Sequence, residues 1–92
     1  MQVNFYATLR QVVNAKTVTF DLPEGATVKN LLDEMIRCFP ALKAEMLDEQ
    51  GNLFQHVHIF VNNRDASFLE NGMDTPLKSE DAVGVFPAVG GG

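Results

Sequence analysis

The chain opens with apolar residues at every second position: Val3, Phe5, Ala7 and Leu9 fall on one face, and Asn4, Tyr6 and Thr8 on the other. Period two over Met1–Leu9 predicts a strand with one buried face. Val18, Phe20 and Leu22 repeat the pattern over Thr17–Leu22, and the intervening Gln11–Lys16 has the length of a hairpin loop. Pro23-Glu24-Gly25 ends the second strand. The period then changes. After Thr27, a good N-cap, apolar residues fall at Val28, Leu31, Leu32, Met35, Ile36 and Phe39, which share one stripe of a helix. Pro40 disfavours helical geometry at Phe39 and closes it. Leu42, Met46 and Leu47 predict a short second helical piece before the Gln50-Gly51-Asn52 turn.

Alternation returns with Val57, Ile59 and Val61 against His56, His58 and Phe60, a third strand. Asn62-Asn63 suits a tight turn, because Asn tolerates positive φ better than other non-glycine residues. Arg64–Leu69 reads as a short edge strand, Glu70–Asp81 as a connecting loop and Ala82–Phe86 as the final strand. One amphipathic helix laid across a mixed sheet of about five strands buries both apolar faces, which makes the expected fold an α+β roll.

Composition narrows the function more than the fold. With 46% hydrophobic and 21% charged residues in 92, the chain can bury one core and reads as a single folded domain. The net charge of −5 and the scattered basic residues argue against nucleic acid, since phosphate binding needs clustered Lys and Arg. A single cysteine, Cys38, allows no internal disulfide and fits a reducing compartment. Neither a signal peptide nor an apolar run of membrane-spanning length is visible, so the expected setting is cytoplasmic, without a membrane partner.

The candidate chemistry inside the domain is thin. His56 and His58, two apart on a strand, share a face in a way that suits a metal, but further ligands at a recognisable spacing are missing, and a solvated face fits them better. Cys38 sits one turn from Met35 beside the helical stripe and reads as a small hydrophobe rather than a nucleophile. The acid pairs Asp33-Glu34, Asp48-Glu49 and Glu80-Asp81 diverge on any regular element and read as surface. No catalytic residue and no metal site is expected.

The end of the chain is different. VFPAVGGG, Val85 to Gly92, runs from an apolar strand into three glycines. Glycine has no side chain to bury and the most backbone entropy to lose, so such a tail adds little to a fold. The glycines do not form a phosphate-binding loop either, because such loops feed a helix N-terminus. The expected organisation is a domain over 1–89 and a flexible glycine tail over 90–92.

HIFVNNRDASFLENGMDTPLKSEDAVGVFPAVGGG resembles the C-terminal part of the ubiquitin-like sulfur carriers of the MoaD and ThiS type, and VNFYATLR resembles the first strand of the molybdopterin synthase small subunit. The Lys43–Gln55 segment is longer than in compact bacterial members. It is similar in this respect to small archaeal modifier proteins and to the carrier that feeds cysteine synthase. The resemblance covers nearly the whole chain and implies a β-grasp fold and a carrier or co-substrate, not an enzyme. It implies that an ATP-dependent, ubiquitin-activating-type enzyme adenylates the carboxylate of Gly92, with no cofactor bound to the carrier itself. Gly91, and Gly90 by reach alone, would thread the tail to the nucleotide. Pro87 and Val89 would dock on partners, while Phe86 stays open between docking and completing the core. The resemblance further implies a thiocarboxylate that passes sulfur to an acceptor, with the molybdopterin synthase large subunit leading. Attachment to target-protein lysines is the alternative, because both uses share one activated carboxylate.

Overall fold

The first strand stops four residues before its alternation does. The structure, a computed structural model, describes residues 1–87. Strand β1 is Gln2–Phe5, with Val3 and Phe5 fully buried. The backbone then turns through Ala7, at φ 54°, and Leu9–Val13 forms a short helix, α1. Met1–Leu9 is therefore not one strand, and Gln11–Lys16 is not a simple loop. Leu9 and Val13, four apart, bury themselves from one side of a helical turn, a spacing that competes with the alternation ending at Leu9. Asn14 closes α1 in the left-handed conformation at φ 58°, with its N–H bonded to the Arg10 carbonyl. The chain then returns as β2, Thr17–Thr19, antiparallel to β1.

Helix α2, Val28–Cys38, follows its expected bounds. The Thr27 hydroxyl accepts from the Asn30 amide at 3.2 Å, and the Asn30 side-chain oxygen accepts from the Thr27 amide at 2.9 Å. This reciprocal pair occupies two N–H groups that a helix start leaves without intrahelical partners. Val28, Leu31, Leu32 and Met35 are buried on one stripe. The Phe39 amide closes the last turn on the Met35 carbonyl at 2.8 Å, next to Pro40. A short α3, Leu42–Met46, buries Leu42 and Met46. Cys38 departs from expectation. Its thiol is exposed, 3.8 Å from a Glu34 carboxylate oxygen, so it is not a small hydrophobe of the core.

Strand β3, Val57–Val61, alternates buried and half-buried as expected. Asn62 and Asn63 both adopt positive φ, 52° and 68°, the conformation of a twist-matched two-residue hairpin turn. The returning strand β4 covers only Arg64–Asp65, because the Asp65 carboxylate captures the Ser67 amide at 2.9 Å and diverts the chain into a 3-10 turn over Ala66–Phe68. A side chain that bonds its own downstream backbone competes with the ladder. The edge strand expected over Arg64–Leu69 is therefore cut short.

A second 3-10 turn, Gly72–Asp74, leads to β5, Val83–Pro87, one residue later than the expected Ala82–Phe86. The sheet order is β2-β1-β5-β3-β4, with β5 parallel to β1 and antiparallel to β3. Helix α2 covers one face, where Val3, Phe5, Ile59, Val83 and Val85 meet its buried stripe in a single core. This is the β-grasp arrangement. No helix among the described residues is long and apolar enough to cross a membrane.

Neighbouring helix positions should separate sharply in stability. Met35, fully buried, is expected to cost about 2–5 kcal/mol on Met35→Ala, through lost burial and the cavity left behind. Exposed Cys38, one turn on, should change by less than about 0.5 kcal/mol on Cys38→Ser. Chemical denaturation of the two variants measures both, and a Cys38→Ser loss approaching that of Met35→Ala would contradict the placement of the thiol.

Candidate functional site

The face of the sheet turned away from α2 is the unusual part of the molecule. Parity sends Asn4, His58, Phe60, Gly84 and Phe86 outward from β1, β3 and β5, and Tyr6 joins them just past β1. The Tyr6 and Phe86 rings stack at 4.1 Å with planes 4° apart, and Phe60 meets Phe86 edge-on at 5.2 Å. Gly84 lies beneath them: a Cβ there would stand 3.2 Å from Tyr6 Cε2 and 3.5 Å from Phe86 Cε2, closer than the Tyr6 ring would accept unmoved. Arg10, held by its Nε donating to the Phe5 carbonyl at 2.7 Å, places its guanidinium carbon 5.2 Å from the centre of the Tyr6 ring. This distance is within reach of a cation–π contact.

These rings border a shallow depression of about 480 Å³, lined by Tyr6, His58, Phe60, Gly84, Phe86 and Pro87 among others. The chain carries 12 Asp and Glu side chains, yet none of them lines it. An apolar face free of acids on a protein of net charge −5 is an exposed patch of the kind that marks an interaction site.

Phe86 is thereby placed. It is 37% exposed and lies on the outer face, not in the core. Pro87 ends the described strand opposite Val57, and having no N–H it offers the sheet no further donor. Val89, Gly90, Gly91 and Gly92 lie outside the described residues. Tyr6 and Phe60 belong to the face with Phe86 and were not singled out from the sequence, and His58, weighed there only as a metal ligand or a solvated residue, belongs to it as well. The available signal was the aromatic character of positions that period two sends to the polar side.

The histidines part company. His56 precedes β3 and stacks on Phe54 at 5.1 Å, so it does not share a strand face with His58. No group of three or more His, Cys, Asp or Glu that could hold a metal occurs among the described residues. His58 Nδ1 lies 2.8 Å from Asp65 Oδ2, while Asp65 Oδ1 accepts from both the amide and the hydroxyl of Ser67, at 2.9 and 2.8 Å. Burial pushes the Asp65 carboxyl upward, but the Ser67 donors together with His58 outweigh it and hold the group below its ordinary value.

The acid pairs serve the surface and its turns. Glu34 is lowered chiefly by its two-pronged bond to Arg37, at 2.7 Å on each side. Asp48 accepts the amides of Gln50 and Asn52, and Asp81 accepts the Lys78 amide and the Asn62 side chain.

Known proteins share this architecture and much of the sequence. The chain is 35% identical over 92 residues to small archaeal modifier protein 3 of Haloferax volcanii, covering 100% of this chain and 98% of the relative. The crystal structure of SAMP1 from the same organism superposes with a TM-score of 0.86 at 27% identity, covering 99% of this chain and 97% of that one. A Pyrococcus furiosus chain described as a candidate molybdopterin converting factor subunit 1 gives a TM-score of 0.75 at 34% identity, covering 96% and 95%. The ThiS family profile matches residues 3–92. A β-grasp sheet, relatives matched over nearly their whole length and a family profile spanning residues 3–92 agree: this protein belongs to the ThiS family of small ubiquitin-like carriers.

Proposed function

We propose that the chain is a carrier whose carboxylate at Gly92 is adenylated by an ATP-dependent activating enzyme and then converted to a thiocarboxylate that donates sulfur. The observation that carries this reading is the aromatic face built around β5, the strand that leads into the glycines. Five residues follow Pro87, the last of them Gly92, and even fully extended they reach only about 17 Å. An enzyme that reacts with Gly92 in an enclosed site therefore has to cover the sheet surface around Pro87, and the acid-free rings there provide apolar area for docking.

The chemistry asks little of the carrier beyond access. A carboxylate oxygen attacks the α-phosphate of ATP and pyrophosphate leaves. A nucleophile then attacks the acyl carbon and AMP leaves. Glycines at 90–92 bring no Cβ that would collide with the walls of a narrow channel. ATP thus belongs to the activating enzyme and the carrier is a co-substrate. The molybdopterin synthase large subunit is the leading sulfur acceptor, a choice supported by the likeness to the Pyrococcus furiosus chain.

A second reading has its own support. If a target lysine is the nucleophile that displaces AMP, the same activated carboxylate yields an isopeptide-linked modifier, and the full-length relatives named as small archaeal modifier proteins favour this use. Intact-mass spectrometry of protein purified from its native host separates the two. A species with sulfur in place of one terminal oxygen supports the sulfur route; glycine remnants on lysines of other proteins, with no such species, would leave the modifier reading alone.

Two variants test the shared first step by ATP–pyrophosphate exchange with the host's activating enzyme. Removing Gly91 and Gly92 is expected to abolish exchange while the melting temperature stays within a few degrees of the parent. Phe86→Ala is expected to raise KM for the carrier roughly tenfold or more, as truncation of a central aromatic anchor does, with kcat little changed. Full exchange by the truncated chain would reject activation at Gly92.

A further inference from the structure

His58 stands at the margin of the aromatic face, 6.3 Å from Phe60 ring to ring, with 38% of its side chain exposed. Its Nδ1 is taken by Asp65, and among the described residues no group bonds its Nε2. The proton on this ring is fixed by the chemistry of its neighbour. An ionised carboxylate only accepts, so at 2.8 Å from Asp65 the Nδ1 atom must carry the hydrogen. The carboxylate is kept ionised and oriented by Ser67, whose amide and hydroxyl both donate to its other oxygen. In the neutral ring Nε2 is then a bare acceptor, presented beside the apolar face.

We propose that His58 is a specificity residue of the docking face, with Asp65 as its positioning residue, and that it selects an activating enzyme that offers a hydrogen-bond donor opposite Nε2. The inference rests on the carrier reading above. When an enzyme covers this face, the imidazole loses water, and an acceptor left without a donor is penalised far more than a matched pair is rewarded. Enzymes with an apolar or accepting group at that point are rejected by this penalty, much as sites built around a buried polar group reject an isostere that lacks its partner. The aromatic rings supply apolar area that many proteins could cover, and His58 supplies the discrimination.

Asp65→Asn gives a direct test. The Ser67 amide requires an acceptor at the Oδ1 position, so the new side chain keeps its oxygen there and turns its NH₂ toward His58. Nδ1 must then accept, the hydrogen moves to Nε2, and the face presents a donor where the partner also presents one. His58→Phe removes the acceptor and keeps a ring in its place. With the host's activating enzyme and the full chain in ATP–pyrophosphate exchange, His58→Phe should raise KM for the carrier about tenfold, and Asp65→Asn by more than that. kcat should stay unchanged in both. The double variant should match His58→Phe alone, because Asp65 acts through His58.

Either single variant within about twofold of wild type, or an Asp65→Asn effect that persists in full in the His58→Phe background, would overturn the proposal. Absence of exchange by the wild-type chain would reject the carrier reading instead. Nitrogen–proton correlation NMR of the free protein reads the tautomer without reference to any partner. With the ring neutral it should show the hydrogen on Nδ1 and none on Nε2 in wild type, and a neutral ring with its hydrogen on Nε2 would overturn the proposal even if Asp65→Asn fails to fold.

Discussion

The pairing of β5 on both sides is the constraint from which the rest of the molecule follows. Val83, Gly84 and Val85 lie beside β1 in parallel register, and the same strand lies antiparallel to β3 from Val61 back to Val57. A strand locked on both edges has no freedom to slip, since a slip of one residue would exchange its two faces. Val83 and Val85 must face α2 and Phe86 must face away. The core and the outer aromatic face are the two sides of one register.

That double role explains how much was legible. Alternation placed Val57–Val61 and, within one residue, the last strand, and the three-and-four spacing after Thr27 placed α2 from cap to close, because each depends on local periodicity and capping. The misreadings came where two local signals competed. Leu9 continues an alternation and also begins a helical pair with Val13, and the tertiary core chose the helix. Arg64–Leu69 has strand-like composition, but Asp65 reaches forward to Ser67 and ends the ladder. Cys38 sits beside an apolar stripe by count, yet it falls on the solvent side of it, while Met35 before it and Phe39 after it pack on the core.

The site was half legible for a related reason. VFPAVGGG marks the terminus as a candidate site in the sequence, because glycines bring no side chain to pack. The surface that accompanies it is assembled from three strands far apart in sequence. Tyr6, Phe60 and Phe86 meet only through the order β1-β5-β3, and Gly84 clears the space for them by having no side chain. The bond between His58 and Asp65 across the Asn62-Asn63 turn is equally invisible to a reading that takes histidines in terms of spacing alone.

The central position of β5 also governs the order of events at the ribosome. Every other described element is synthesised before it, yet β1 and β3 are not joined to each other and meet only through it. Until Val83–Pro87 emerges, the nascent chain holds an open sheet with no middle, and the distant contact of Val3 with Val83 cannot form. Such non-local closure is slow compared with helix formation. A chain whose synthesis stops before Val83–Pro87 lacks the strand that joins the two halves of the sheet, so an unfinished molecule cannot present the aromatic surface of a finished one.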